Sequence, residues 1–518
     1  GSDGYNSQMF NWLADTLRIK DVVGKRGQTY VYQEWLKDQI GRDRSWDDTV
    51  FKMLTATGRL GASGPAGYLL RDPGMPLDNL SNTLTVFLGA NVACAQCHDH
   101  PLAPWTQKDF YQMAAFFGGV ETHGVKSKKL VKQVIKKSEE FDEKDKRFLR
   151  QLIEVNAAEV KDIPGKSLKF PDDYQYKDAK PGDTVQPNLI RWAPEDATNP
   201  AYAVDTSNPE TLRRSFAKWL THSENPRFAA AIANRLWKKA FGIAVSEPVT
   251  DLDDLSKSAN PGLLNGLAAE MKRAKFSLRD FQRILFNTKA YQRQASITPD
   301  LAKGPYLFPG PVLRRMSAEQ AWDSVLTLGA GDSLDHYKLH RADNLKQFVI
   351  PEKELTVKAA EAAAKRAAAN GGANRMNLKA NLEMDGGGAP PPQLKGFIIA
   401  RASELEQPAR ESHFIRMFGQ SDRNVADDSS LEGGVPQVLM QMNGDVQKVI
   451  ASKESQVMKA AERKKTPDAQ IESLYVSFFS RRPTPAQTAA ARKALENGLQ
   501  LSEMTWVLFN TREFLFIQ

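Results

Sequence analysis

Cysteine is nearly missing: two residues among 518. A disulfide framework is therefore excluded as the source of stability. No run of about 18 consecutive apolar residues occurs, which excludes a helix that spans a bilayer. Neither sign of charge dominates, since 70 Lys and Arg face 62 Asp and Glu for a net +8. The densest basic cluster, Lys126, Lys128, Lys129, Lys132, Lys136 and Lys137, runs straight into Glu139, Glu140, Asp142, Glu143 and Asp145. Adjacent blocks of opposite sign read as a solvated helical face with internal ion pairs. A nucleic-acid footprint would gather the excess on one face, so no nucleic-acid partner is expected. A Walker loop, a dinucleotide fingerprint and a nucleophile elbow are all missing. The opening Gly1-Ser2-Asp3-Gly4-Tyr5 carries neither a basic n-region nor an apolar h-region, so no export signal is visible. What remains is ordinary globular composition, 41% hydrophobic and 25% charged, in a chain long enough for two to four domains of about 150 residues.

Both cysteines fall in one pentapeptide, Cys94-Ala95-Gln96-Cys97-His98. This C-x-x-C-H spacing is the pattern of covalent c-type haem attachment. Two thiols one turn apart can each add to one vinyl group of the same porphyrin, and the histidine after the second thiol supplies the proximal nitrogen to iron. Other readings of two close thiols stay open. A thioredoxin-like dithiol or disulfide normally opens a helix after a strand, whereas Leu80, Leu84, Phe87 and Leu88 upstream keep helical spacing. A zinc site needs four ligands, and no second Cys/His pair follows, although His98, His100 and His123 lie near the thiols. For a sixth iron ligand the candidates are Met75, Met113 and His123. Met113 sits in the apolar stretch Phe110 to Phe117, where a core role is expected, and His100 is too near His98 to reach the other haem face.

Other chemistry-bearing residues read as structural. His222 and His413 stand alone, and His336 with His340 lack the glutamate of a zincin motif. Asp251, Asp253 and Asp254 lack the glycine and bidentate glutamate of a calcium loop, so a loop or helix-cap role is expected. Trp237 and Phe241 form an i, i+4 core pair. Arg314, Arg315, Arg416 and Arg423 are expected in structural ion pairs rather than on a bound anion.

Around the motif the wording is specific: Phe87-Leu88-Gly89, Cys94 through Pro101, Pro104, Gln107-Lys108-Asp109-Phe110-Tyr111 and Ala114-Ala115-Phe116-Phe117. These stretches resemble the planctomycete-type cytochrome c domain. Asn234-Arg235-Leu236-Trp237, Phe241-Gly242, Glu247-Pro248-Val249, Asp251-Leu252 and Lys289-Ala290-Tyr291-Gln292 resemble the first half of its usual C-terminal partner domain. Leu313 through Gln320, Phe418 through Arg423 and Asn510 through Phe514 resemble the second half. The resemblance implies an exported protein of the periplasm or cell envelope, of largely undefined role, often encoded beside sulfatase-like proteins. It supports Cys94 and Cys97 as haem anchors and His98 as axial iron ligand. It also sets the first residues at a mid-domain position, which implies a fragment or a processed chain.

The expected architecture is mainly α, a multi-domain helical protein with a small β/loop segment near residues 167–192. The divisions are a haem domain at 1–120, a charged helical insertion and short-strand segment at 121–205, and a first helical half at 206–340. A low-complexity helix and Gly/Pro linker follow at 341–393, then a second helical half at 394–518. Helices around Phe87, Phe110, Tyr111, Phe116 and Phe117 are expected to wall the cofactor. The expected function is electron transfer through one covalent haem c, with a redox partner protein; the family association implies a sulfatase-like or glycan-processing neighbour as a further partner. The alternatives are a peroxidase-like haem oxidoreductase and a non-haem envelope binding or scaffold protein. Whether the chain is an enzyme stays open.

Overall fold

A computed structural model describes residues 2–23, 27–122, 158–192, 198–296, 306–346 and 393–517, together with isolated positions and without 395, 396, 432 and 445. His123, most of the charged helical insertion expected within 121–205, and the alanine-rich and Gly/Pro-rich stretches within 341–393 lie outside the described residues. The described chain is mainly α with a few small sheets. In its first part α1 (Asp3–Thr16), α2 (Tyr30–Gly41), α3 (Trp46–Thr55), α4 (Gly67–Leu70), α5 (Pro76–Leu88) and α6 (Gln107–Ala114) follow one another. Then come α7 (Pro209–Leu220), α8 (Pro226–Phe241), α9 (Pro261–Arg273) and α10 (Leu278–Phe286).

Local sequence explains the ends. Helices α5, α7, α8 and α9 all carry Pro in the first turn, where its missing N–H costs nothing. Thr106 and Asp109 close a reciprocal capping box on α6. α5 begins at Pro76, one turn ahead of the helical spacing that opens at Leu80. Asp78 sits in the first turn, facing the positive end of the helix dipole, and Asn79 donates inward to the Tyr68 carbonyl at 3.4 Å. The helix stops at Leu88, because Gly89 turns left-handed at φ 60°. A β-carbon there would lie 2.7 Å from Leu252 Cγ. Gly89→Ala is therefore expected to cost about 2–4 kcal/mol, from left-handed strain plus overpacking. Denaturant unfolding checks it, and a change below about 1 kcal/mol would contradict this contact.

Strands are few. β1 (Val22–Val23) pairs with β2 (Gly27–Gln28). β3 (Gly58–Arg59), β4 (Val120–Glu121) and β5 (Glu159–Asp162) form an antiparallel sheet in the order β3-β5-β4. β5 lies in the segment expected as a charged helical insertion with short strands, because Glu159-Val160-Lys161-Asp162 alternates and buries Val160. Residues 167–192 are mostly irregular, with one bridge between Lys169 and Thr184. β6 (Arg314–Arg315) pairs with Phe516–Ile517 near the other end of the chain.

The buried side chains sort into two clusters that cut across the expected divisions. The first runs from Met9 to Phe308 and joins the motif-bearing helices to α7–α10. Phe116 and Phe117 pack on Phe216 of α7 at 5.8 and 4.9 Å between ring centroids. The second runs from Ala318 to Phe514, around Trp322 and Phe414. Residues 399–427 key the two together. Arg423, fully buried, donates to the Ile19 carbonyl at 2.9 Å, and Thr16 donates to Asp427 at 2.6 Å.

This seam holds Asp323, on the helix Ala318–Ala330, which accepts from the Ala402 amide at 2.7 Å. Burial pushes its carboxyl up to about 6, against the opposing pull of Ser7, Ala402 and Arg401 and with Glu319 adding to the rise. A raised folded value means the protonated form is favoured in the native state. The stabilisation is full below about pH 4 and is lost as pH rises through about 6. Two units correspond to about 3 kcal/mol. Relative to Asp323→Asn, which cannot ionise, the wild-type protein should lose up to that amount between about pH 4 and pH 7. Urea midpoints of both proteins across that range measure it, and parallel pH profiles would contradict the burial argument.

Candidate functional site at the cysteine turn

The motif leaves α5 through Gly89 and tightens into a 3₁₀ turn over Ala93–Gln96. The Cys94 carbonyl accepts from the amides of Cys97 at 3.1 Å and His98 at 3.2 Å. Cys97 caps that turn, three residues after Cys94. Ala95, fully buried, anchors the other side. Cys94, Cys97 and His98 are all exposed, and both thiols are free.

His98 is oriented by its neighbour: Nδ1 lies 2.7 Å from the Asp99 carbonyl. A carbonyl only accepts, so Nδ1 carries the hydrogen and the Nε2 lone pair is left for a metal. Asp99 is itself fixed twice. Its amide donates to the Tyr176 hydroxyl at 2.8 Å, and its carboxylate accepts from the Gln107 amide at 2.8 Å, at the head of α6. Gln107 reaches back to the Gln96 carbonyl at 3.3 Å. His100 braces the next turn, with Nδ1 accepting from the amides of Leu102 at 3.1 Å and Ala103 at 2.9 Å. Its own amide donates to the Trp105 carbonyl at 2.7 Å.

Two exposed thiols three residues apart, beside an imidazole whose Nδ1 is engaged, make a donor set that fits a covalently held haem. Among the described residues no group of three or more His, Cys, Asp or Glu side chains is disposed to hold a metal ion.

The expected aromatic wall is corrected. Phe87, Phe110, Phe116 and Phe117 are all at most 5% exposed. Phe87 is taken up by Trp46 and Tyr68, at 5.9 and 5.6 Å between centroids. Their apolar surface is consumed by the core, which the periodicity of α5 and α6 could not reveal. Of the expected wall, Tyr111 alone continues toward the turn, through rings of the segment expected as β/loop at 167–192. Tyr111, Phe170, Tyr174 and Tyr176 form a ladder with successive centroids 5.8, 4.7 and 5.7 Å apart. Burial raises the Tyr111 hydroxyl above its ordinary range, with Asp173 and Cys97 adding to it. The missed signal is three aromatics, Phe170, Tyr174 and Tyr176, at even positions in a proline-bounded stretch.

Of the candidate sixth ligands, Met113 is fully buried in the core. Met75 is 53% exposed at the start of α5, a rod of 13 residues that separates it from Gly89 by about 20 Å. His123 lies outside the described residues. The remaining histidines are structural where their contacts are seen. His222 stacks on Trp192. His413 packs tilted against Trp322 at 4.7 Å between centroids, caps the Ile415 amide and is pushed down to about 4 by burial and Arg410.

Asp254 caps a short turn, and Asp251 accepts from the Asp253 amide at 3.3 Å. Trp237 and Phe241 stack at 3.8 Å in the core. The arginines expected in ion pairs bind carbonyls. Arg315 donates to Phe418 at 2.9 Å and Leu431 at 3.1 Å, and Arg314 donates to Lys239 at 2.7 Å. A separate cleft of about 500 Å³ opens between Leu69, Asp72, Asn79, Phe117 and Lys166. No sequence motif pointed to it.

No curated protein and no solved structure matches the chain. Two families do. Residues 1–122, which include the cysteine turn, match PSCyt2, described as a protein of unknown function (DUF1549). Residues 212–495, more than half of the 518, match PSD1, described as a protein of unknown function (DUF1553). The chain belongs to the PSD1 family and carries a PSCyt2 domain ahead of it, in the planctomycete-type arrangement.

Proposed function

We propose that this protein is an exported monohaem c-type electron carrier of the periplasm or cell envelope. The observation that carries the reading is the pairing of two free, exposed thiols on one 3₁₀ turn with an imidazole whose Nδ1 is held by a carbonyl. Cys94 and Cys97 would hold the haem by thioether bonds, and His98 Nε2 would be its axial ligand. When bound, the haem supplies a one-electron couple that burial and ligation tune. The chain's own part is orientation. Asp99 accepts from His98 Nδ1 and so raises the basicity of Nε2, as outer-shell acceptors of ligating histidines do. Tyr176 and Gln107 keep Asp99 from turning away. The exposed position of the turn, with Leu102 at 93% exposure beside it, favours an external redox partner protein over a reaction in a closed pocket. No helix among the described residues is long and apolar enough to cross a membrane.

The test is the visible spectrum of the protein matured in a host that attaches c-type haem, oxidised and reduced. A six-coordinate low-spin spectrum that cycles reversibly is expected. A high-spin ferric spectrum with peroxide turnover would replace the carrier by a peroxidase-like enzyme. Protein without any haem band would leave a non-haem envelope protein.

A further inference from the structure

The loop after the motif is gripped by the PSD1 region. Trp105 is 6% exposed, and a buried indole N–H needs an acceptor. It donates to Asp253 Oδ1 at 2.9 Å. The same oxygen accepts from Arg227 Nη1 at 2.6 Å, while Arg227 Nη2 donates to the Asp253 carbonyl at 2.8 Å. The guanidinium also sits 5.7 Å from the centre of the Trp105 ring. Arg227 belongs to the first turn of α8, which Asn225 caps, so this anchor is set on a rigid element. Beside it the Leu252 amide donates to the Gly89 carbonyl at 2.6 Å, closing the other end of the motif loop. Trp105 in turn accepts from His100, and Asp99 accepts from His98. One bonded path thus runs from the imidazole through residues 99–105 to α8.

We propose that Asp253 is a positioning residue for the Cys94–His98 turn: it clasps Trp105, and the PSD1 region thereby sets the orientation of the PSCyt2 motif. The redox consequence rests on the cytochrome reading; the clasp itself does not. A charge-assisted acceptor is the appropriate group, because removing it strands a buried indole donor and a guanidinium together.

The test uses the full chain, matured, as wild type, Asp253→Ala, Asp253→Glu and Trp105→Phe. The last keeps an aromatic ring on the same backbone position while removing the indole donor, and serves if the alanine variant folds poorly. Amide hydrogen exchange over residues 99–105 should quicken about tenfold in Asp253→Ala and Trp105→Phe, the factor for 1.4 kcal/mol, with α5 unchanged and Asp253→Glu largely restored. The midpoint potential and the spectral marker of axial histidine should shift in the same two variants. Unchanged exchange would overturn the clasp. Faster exchange with potential and spectrum untouched would reduce Asp253 to a structural tie and overturn the positioning role. Wild-type protein without haem would sink the cytochrome reading and the iron-ligand part, and the exchange data would then decide the clasp alone.

Discussion

Serine at both position 94 and position 97 should abolish covalent haem and leave the fold intact. Each thioether requires a sulfur, so the double variant Cys94→Ser/Cys97→Ser has no covalent route to a porphyrin. Each single variant retains one sulfur and should give less attached haem. His98→Ala keeps both sulfurs, loses the axial nitrogen and should change the spectrum rather than the mass. Stability is the discriminating half of the prediction. All three side chains are exposed and bonded only to their own loop, and such surface substitutions stay within about 0.5 kcal/mol. A structural disulfide at the same place would cost about 2–5 kcal/mol on removal, and a structural zinc site would cost more. Haem content by absorbance and urea midpoints of the haem-free chain measure the two halves. Marked destabilisation of the double variant would favour the disulfide or metal reading.

Arg213→Ala should unfold the molecule far more readily than any change at the cysteine turn. Arg213 on α7 is fully buried, and its donors are nearly all engaged. Two pair bidentately with Asp162 of β5, at 2.9 and 2.6 Å. A third reaches the carbonyls of Leu54 at 2.9 Å and Ala56 at 3.1 Å, at the end of α3. Those carbonyls have no next turn to bond them. One side chain thus joins a helix of the PSD1 region to a strand and a helix end of the first cluster. Removing one partner of a buried pair costs about 3–5 kcal/mol. Arg213→Lys should recover only part of it, since an ammonium is a point donor without the planar fork. Chemical denaturation measures the loss, and a cost under about 1 kcal/mol would mean that water replaces the guanidinium.

Helices were the most legible feature. Of the helices, α7, α8 and α10 announce their starts in the sequence, by a capping Asn or Ser and, for α7 and α8, a first-turn proline. The bounds of α5 rest on Pro76 and Gly89, which apolar periodicity does not register. The C-x-x-C-H turn was visible because its chemistry is local: five consecutive residues and one carbonyl. What supports the turn was not visible. Tyr176 and Asp253 act from positions far along the chain, through hydrogen bonds that leave no periodic trace. The same holds for the aromatic residues of α5 and α6. Sequence marks them as apolar, but only packing decides that Phe216, Trp46 and Tyr68 occupy their faces. Arg315 and Arg423 were misjudged for a related reason. An arginine paired with backbone carbonyls looks the same in sequence as one paired with a carboxylate.

The most direct measurement is the intact mass of the wild-type chain produced with a c-type maturation system, under denaturing conditions that strip any non-covalent ligand. The account predicts the polypeptide mass plus one haem, retained after acid and organic solvent and lost in Cys94→Ser/Cys97→Ser. A mass equal to the bare chain, or lower by two hydrogens, would contradict it and leave Cys94 and Cys97 as free thiols or a disulfide.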